Sequence, residues 1–317
     1  MTDALQKVFL ILVVLFFASH IYADNIVENI QVFSSPNSDK KITPKSIETA
    51  FNQAGLTILG NNNMNKPFLQ RFENKHYEIY NLAMFMNTKY NYKLLKKYPQ
   101  FGALTPLTMS IWQDKKGNMN IGTLNIQGIA RAANIPATDK DLHSYASLIH
   151  KALKKAMPHG HFKKSSLKST TKNNSYQINF TANVHLENGE DLEDFIDDFE
   201  EEFEAEMESL GFLFPNITNV QDEIFKKYDY KVYDFYHTYS ICKFDVIYPV
   251  SKDHPEAGAW APCSFYIYKK KDEDKMQMGF LGVDNWIKTL NIKDKTSIIQ
   301  LKEAEAMIEK ILNDMIE

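Results

Sequence analysis

Two stretches of this chain repeat one another. Tyr77, Tyr80, Pro99, Gly102, Ala103, Pro106 and Ile111 recur as Tyr233, Tyr236, Pro255, Gly258, Ala259, Pro262 and Ile267, each pair 156 residues apart. The shared core is P-x-x-G-A-x-x-P followed by a strand-like run, 107–112 in the first copy and 263–268 in the second. A self-match held at one spacing constrains the architecture more than any local propensity, because each copy must form the same unit. A chain of 317 residues has room for two ordinary domains, which agrees.

The duplication begins before Tyr77. A helix is predicted from Pro44, with Ile47, Ala50, Phe51 and Ala54 at helical spacing and Gly55 as its stop. Its answer runs from Asp191 to Leu210, with Leu192, Phe195, Phe199, Phe203, Met207 and Leu210 as the apolar stripe and Gly211 as the stop. Gly55 and Gly211 are again 156 apart. A short strand near 30–33 precedes the first helix, and the alternation over 176–186 predicts a strand before the second. Past the two prolines each copy makes a hairpin. The second turn holds one extra residue, so Gly122 and Gly279 are 157 apart. Turns tolerate such insertions. Both copies close on a helix, around 148–153 and 307–312.

The join is polar, basic and without apolar periodicity, as a linker should be. The expected organisation is a signal segment over 1–23, a first domain over 25–158, a basic linker over 159–174 and a second domain over 175–317. Helices at the ends and strands in the middle give each half an α+β fold with an antiparallel sheet and flanking helices, not a doubly wound parallel sheet. Two fused copies of one design most simply pack as a pseudo-two-fold pair, a monomer that is its own dimer.

Composition (44% hydrophobic, 24% charged) is that of a globular chain with a core. A formal charge of −4 argues against a nucleic-acid or anionic-membrane partner, and no Gly-rich phosphate loop is present. Residues 8–18 are continuously apolar, with Lys7 before them and Ala23 after. This predicts a secretory signal cut after Ala23, placing the mature chain in the periplasm or outside the cell. The run is about half the ~20 residues needed to span a bilayer, so membrane contact is confined to this segment if it stays uncut.

The residues Asn87-x-x-Tyr90-x-Tyr92-Lys-Leu-Leu, the P-x-x-G-A-x-x-P segment and the strand after it resemble the domain-of-unknown-function family DUF302, present as two tandem copies. The family pattern has Cys-Asn-Pro near the end of one strand and Pro-Cys opening the next. Here the first copy has Met86-Asn87-Thr88 and Pro106-Leu107, and the second has Cys242-Lys243-Phe244 and Pro262-Cys263. The resemblance implies a small α+β domain that tends to pair with itself, and it brings no activity, cofactor or catalytic residue.

Cys242 and Cys263 are the sharpest chemical feature. By the offset they answer Met86 and Leu107, apolar residues on neighbouring segments. In an oxidising compartment the first expectation is a disulfide, closing a loop of about 20 residues for roughly 3 kcal/mol. The other readings are two buried thiols acting as small hydrophobes, and a redox pair or soft-metal or haem site. His237 and His254 share that half and would complete a metal site if the fold gathered them. His159-Gly160-His161 offers two ligands on a loop, too few alone, and His143 and His150 are too widely spaced for a helical ligand pair. Met84-x-Met86 and Met276-x-Met278 read as core before copper. The twelve acids between Glu190 and Glu208 read as the solvated face of an amphipathic helix, turned toward the basic linker (Lys163, Lys164, Lys168, Lys172) or a cationic partner. Ser264 and Ser297 lack a nucleophile elbow and no H-E-x-x-H occurs, so nothing positive marks an enzyme.

The resulting expectation is a non-catalytic exported protein, without metal or cofactor, that binds a small ligand or a periplasmic protein at the seam between its halves. The alternative is a thiol-redox or soft-metal/haem protein using Cys242 and Cys263.

Overall fold

A computed structural model describes residues 28–164, 177–186 and 191–316. The expected signal segment, most of the linker with Lys168 and Lys172, and Glu190 lie outside the described residues.

The first half runs β1 (Ile30–Ser35), α1 (Pro44–Gln53), β2 (Thr57–Asn63), α2 (Asn65–Phe72), β3 (Tyr80–Met86), α3 (Thr88–Lys97), a 3₁₀ turn (Pro99–Leu104), β4 (Leu107–Gln113), β5 (Met119–Leu124), α4 (Ile126–Ala132) and α5 (Lys140–Ala156). The second runs β7 (Gln177–Asn183), α6 (Leu192–Ser209), β8 (Leu213–Asn219), α7 (Val220–Glu223), a 3₁₀ turn (Phe225–Tyr228), β9 (Tyr233–Cys242), α8 (Phe244–Asp253), a 3₁₀ turn (Pro255–Ala259), β10 (Cys263–Lys270), β11 (Lys275–Leu281), α9 (Asp284–Thr289) and α10 (Lys295–Ile316). Between them a two-residue strand, β6 (His161–Phe162), joins the first sheet. All pairings are antiparallel, in the orders β2-β3-β4-β5-β1-β6 and β7-β11-β10-β9-β8. The linker expected from residue 159 therefore begins later, because Phe162 sets its ring 4.8 Å from Phe33 and completes the sheet edge.

Local chemistry sets the helix ends. Thr43 caps α1 in a reciprocal box with Ser46, followed by Pro44 at the first helical position. Gly55 and Gly211 turn the chain out of the helices at positive φ, 91° and 83°. The acidic α6 buries Ile196, Phe199, Phe203 and Met207, while Leu210 of the expected stripe is exposed.

The halves are two copies of one unit packed as a pseudo-two-fold pair. The X-Pro bonds at Thr105–Pro106 and Ala261–Pro262 are both cis. Tyr248 of α8 stacks on Phe72 of α2 at 3.9 Å, and Tyr92 of α3 stacks on Tyr228 at 4.0 Å. These are one contact made twice, since 72 and 228, like 92 and 248, are 156 apart. Each P-x-x-G-A turn lies on the opposite half's sheet. A Cβ on Gly102 would meet the Tyr266 Cβ at 2.6 Å, and one on Gly258 would meet the Ser110 Cβ at 2.6 Å and its N at 2.8 Å. Tyr266 and Ser110 are themselves 156 apart. The repeated glycine is thus where each backbone touches the other copy.

Candidate functional site

On the seam face of β3 stand Leu82, Met84 and Met86, and on that of β9 their counterparts Thr238, Ser240 and Cys242. One wall is apolar and the other polar, although the backbone plan is the same. β2 and β8, the edge strands of the two sheets, meet at this seam.

A cavity of about 580 Å³ opens there. The first half contributes Asn62, Asn63, Met64, Pro67 and Leu82, and the second contributes Leu213, Phe214, Ile217, Phe244 and Cys242. Glu204 and Glu208 of α6 also line it, and among the described residues no basic one does. Four residues apart on one helix, the two carboxylates share a face. Desolvation pushes the Glu204 carboxyl above the usual range, and Glu200 and Glu208 add to the shift. Leu213 and Ile217 are 42% and 45% exposed, so apolar surface faces the opening. This size falls within the range of small-molecule sites.

Cys242 lines this cavity and is not bridged to Cys263. Cys263 pairs with Ile241, not Cys242, and Cys242 pairs with Leu213. The register leaves the sulfurs out of phase and beyond disulfide distance, and both are free thiols. The expected disulfide is therefore corrected. Both border a second, apolar cavity of about 50 Å³ under Trp286, Phe280 and Ile308. Burial pushes each thiol up to about 12. Such thiols are poor nucleophiles and poor metal ligands at neutral pH.

The histidines do not join them. His237 Nδ1 meets Glu200 Oε1 at 2.6 Å on the helix side of β9, and His254 Nδ1 lies 3.6 Å from Glu256. His150 Nε2 is 2.8 Å from Gln31 Oε1, with its ring 5.0 Å from Phe162. His161 lies in β6, and His143 and His159 are exposed. Among the described residues no group of three His, Cys, Asp or Glu could hold a metal. Met84, Met86, Met276 and Met278 are buried. Ser264 donates to the Pro106 carbonyl at 3.4 Å, and the Ser297 N–H caps onto Asp294. Among the described residues no ion pair joins α6 to the basic linker, and Lys163 pairs instead with Asp114 at 3.4 Å.

The residues that carry the resemblance acquire roles here. Asn87 caps α3, accepting from the Tyr90 N–H and donating to the Gly55 carbonyl. Lys243, its counterpart, reaches the Leu210 carbonyl instead. Asn62, Asn63 and Leu82 leave no signal in the spacing, because they converge only through tertiary packing, and Glu204 reads in the sequence only as part of the acidic helix face. No helix among the described residues is long and apolar enough to cross a membrane.

The model of a domain of unknown function, DUF302, matches residues 33–157 and again 190–315. An uncharacterized conserved DUF302 protein from Bacillus stearothermophilus, known from a crystal structure, is 16% identical with a TM-score of 0.33. That match covers 44% of this chain and 95% of the other. Among curated proteins none matches.

Proposed function

The chain belongs to the DUF302 family through both its halves, and from the seam geometry we propose that it binds a small amphipathic cation between them. The observation that carries this reading is the cavity walled by both copies. Its apolar surface (Leu82, Leu213, Phe214, Ile217, Phe244) leads to two carboxylates with no basic residue beside them among the described residues. An apolar body would leave water against the first group while an ammonium meets Glu204 and Glu208. The mutual repulsion of these carboxylates, which raises Glu204, would be relieved by that cation.

Calorimetric titration with hexylamine, hexanol and hexanoate tests the reading. Hexylamine is expected to bind at one site, hexanol weakly and hexanoate not at all. Glu204→Gln with Glu208→Gln should weaken hexylamine by about 10-fold or more, as for loss of a paired partner worth ~1.5–3 kcal/mol. Because desolvation holds the Glu204 carboxyl above the ordinary range, binding should fade on acidification at a higher pH than for an unperturbed Glu. Equal affinity for hexanoate, or no heat from any probe, would sink the proposal.

We further propose that the protein works outside the cytoplasm, on the strength of the apolar run 8–18 between Lys7 and Ala23. Intact mass of the purified native protein should correspond to a chain starting at Asp24. A mass that retains Met1 would contradict this.

A further inference from the structure

The two copies differ at one edge of their sheets. In the first half β1 is covered by β6, with Phe33 opposite Phe162 and Ser34 opposite His161. The Lys163 N–H donates to the Val32 carbonyl at 2.8 Å. The covering segment is basic and aromatic, His161-Phe162-Lys163-Lys164. In the second half the equivalent strand is β7. Register shows this: Phe33 pairs Ile121, which pairs Ile111, and Phe180 pairs Met278, which pairs Ile267. Among the described residues β7 pairs only with β11, and its outer side is open.

Among the described residues that edge carries none of the devices that keep open strands apart. It has no Lys, no Pro and no bulge, and Asn179, Thr181 and Asn183 are exposed. Charge selects what could pair with it. Residues 24–158 hold 17 Lys and Arg against 9 Asp and Glu, whereas 175–317 hold 14 against 30. The first half is net +8 and the second −16, a division that the overall −4 conceals. Locally the contrast is sharper. His150, which flanks Phe162 in the first half, is answered on α10 by Glu309, 159 residues on, the same offset that relates the closing helices. A second copy pairing β7 to β7 would bring two acidic halves together, which electrostatics opposes.

We propose that β7 is a docking edge for an extended basic peptide segment carrying an aromatic residue. It would add a sixth strand to the second sheet as β6 does to the first. Main-chain hydrogen bonds supply the pairing, Phe180 the floor for the aromatic ring, and Glu309 the partner for a flanking Lys or His.

The probe is a labelled, end-capped peptide of residues 159–164 titrated into the full-length protein by fluorescence anisotropy. Saturable binding is expected, weakening with salt. Replacing Phe162 by Ala in the peptide should cost about 10-fold, which is ~1.4 kcal/mol. Two surface changes in the protein, Thr181→Lys and Glu309→Lys, should each weaken binding by a similar factor while leaving the melting temperature unchanged. Three results overturn the proposal. One is no saturable binding. Another is binding indifferent to Phe162 and to both protein variants, which would mean diffuse attraction to α6. The last is self-association of the protein that Thr181→Lys abolishes, which would give the edge to a second copy. None of these outcomes bears on the hexylamine titration, which reads the opposite edge of the sheet.

Discussion

At the scale of single residues, the cysteines show what position does to chemistry. Cys242 and Cys263 are conspicuous in the sequence, and their placement on neighbouring strands follows from the repeat. What the sequence does not carry is a register one residue out, Cys263 facing Ile241 rather than Cys242. The thiols stay reduced and desolvated, pushed from 9.0 up to about 12. The linkage has a definite sign. Above pH 9 the unfolded chain loses thiol protons that the folded chain keeps, so stability falls as pH rises from 9 toward 12. Urea midpoints between pH 8 and 10.5 should therefore drop, and less steeply in the Cys242→Ala/Cys263→Ala variant. The native protein should react with a disulfide reagent at pH 8 far more slowly than the urea-unfolded chain, which should yield two thiols. Identical pH slopes in variant and parent would remove the thiols from the account.

At the scale of elements, the P-x-x-G-A turn is the part of the sequence whose meaning the structure completes. Its recurrence is plain at 156 residues, but spacing alone gives no reason for the glycine. The reason is contact across the seam: neither Gly102 nor Gly258 has positive φ, and both lie against the opposite sheet. Gly102→Ala and Gly258→Ala should each destabilise by about 1–3 kcal/mol through overpacking, measured by urea unfolding. A change below 0.5 kcal/mol in both would contradict the close approach. Helices and hairpins were largely legible, because amphipathic periods and turn glycines mark them. The small α2 and the aromatic stacks of Tyr92 and Tyr248 were not. Their partners are set by packing between halves, which leaves no periodic trace in a single copy. β6 was read as linker for a similar reason: two residues are too few to alternate.

At the scale of the molecule, the protein is a dimer within one chain, and the copies have divided their roles. One keeps Leu82 and Met84 on its seam wall where the other has Thr238 and Ser240. One is basic, the other acidic. Across the join run Arg71 to Asp245 at 2.6 Å, the Tyr77 hydroxyl to the Lys252 carbonyl at 2.9 Å, and Tyr236 to the Pro99 carbonyl. These contacts, the reciprocal turns and the paired stacks make each half the other's missing surface. The most direct measurement is to produce residues 28–164 and 177–316 as separate chains and weigh them, alone and mixed, by light scattering after size exclusion. A 1:1 complex on mixing that restores the melting behaviour of the intact protein is the expected result. Two halves that stay monomeric, folded and indifferent to one another would contradict it.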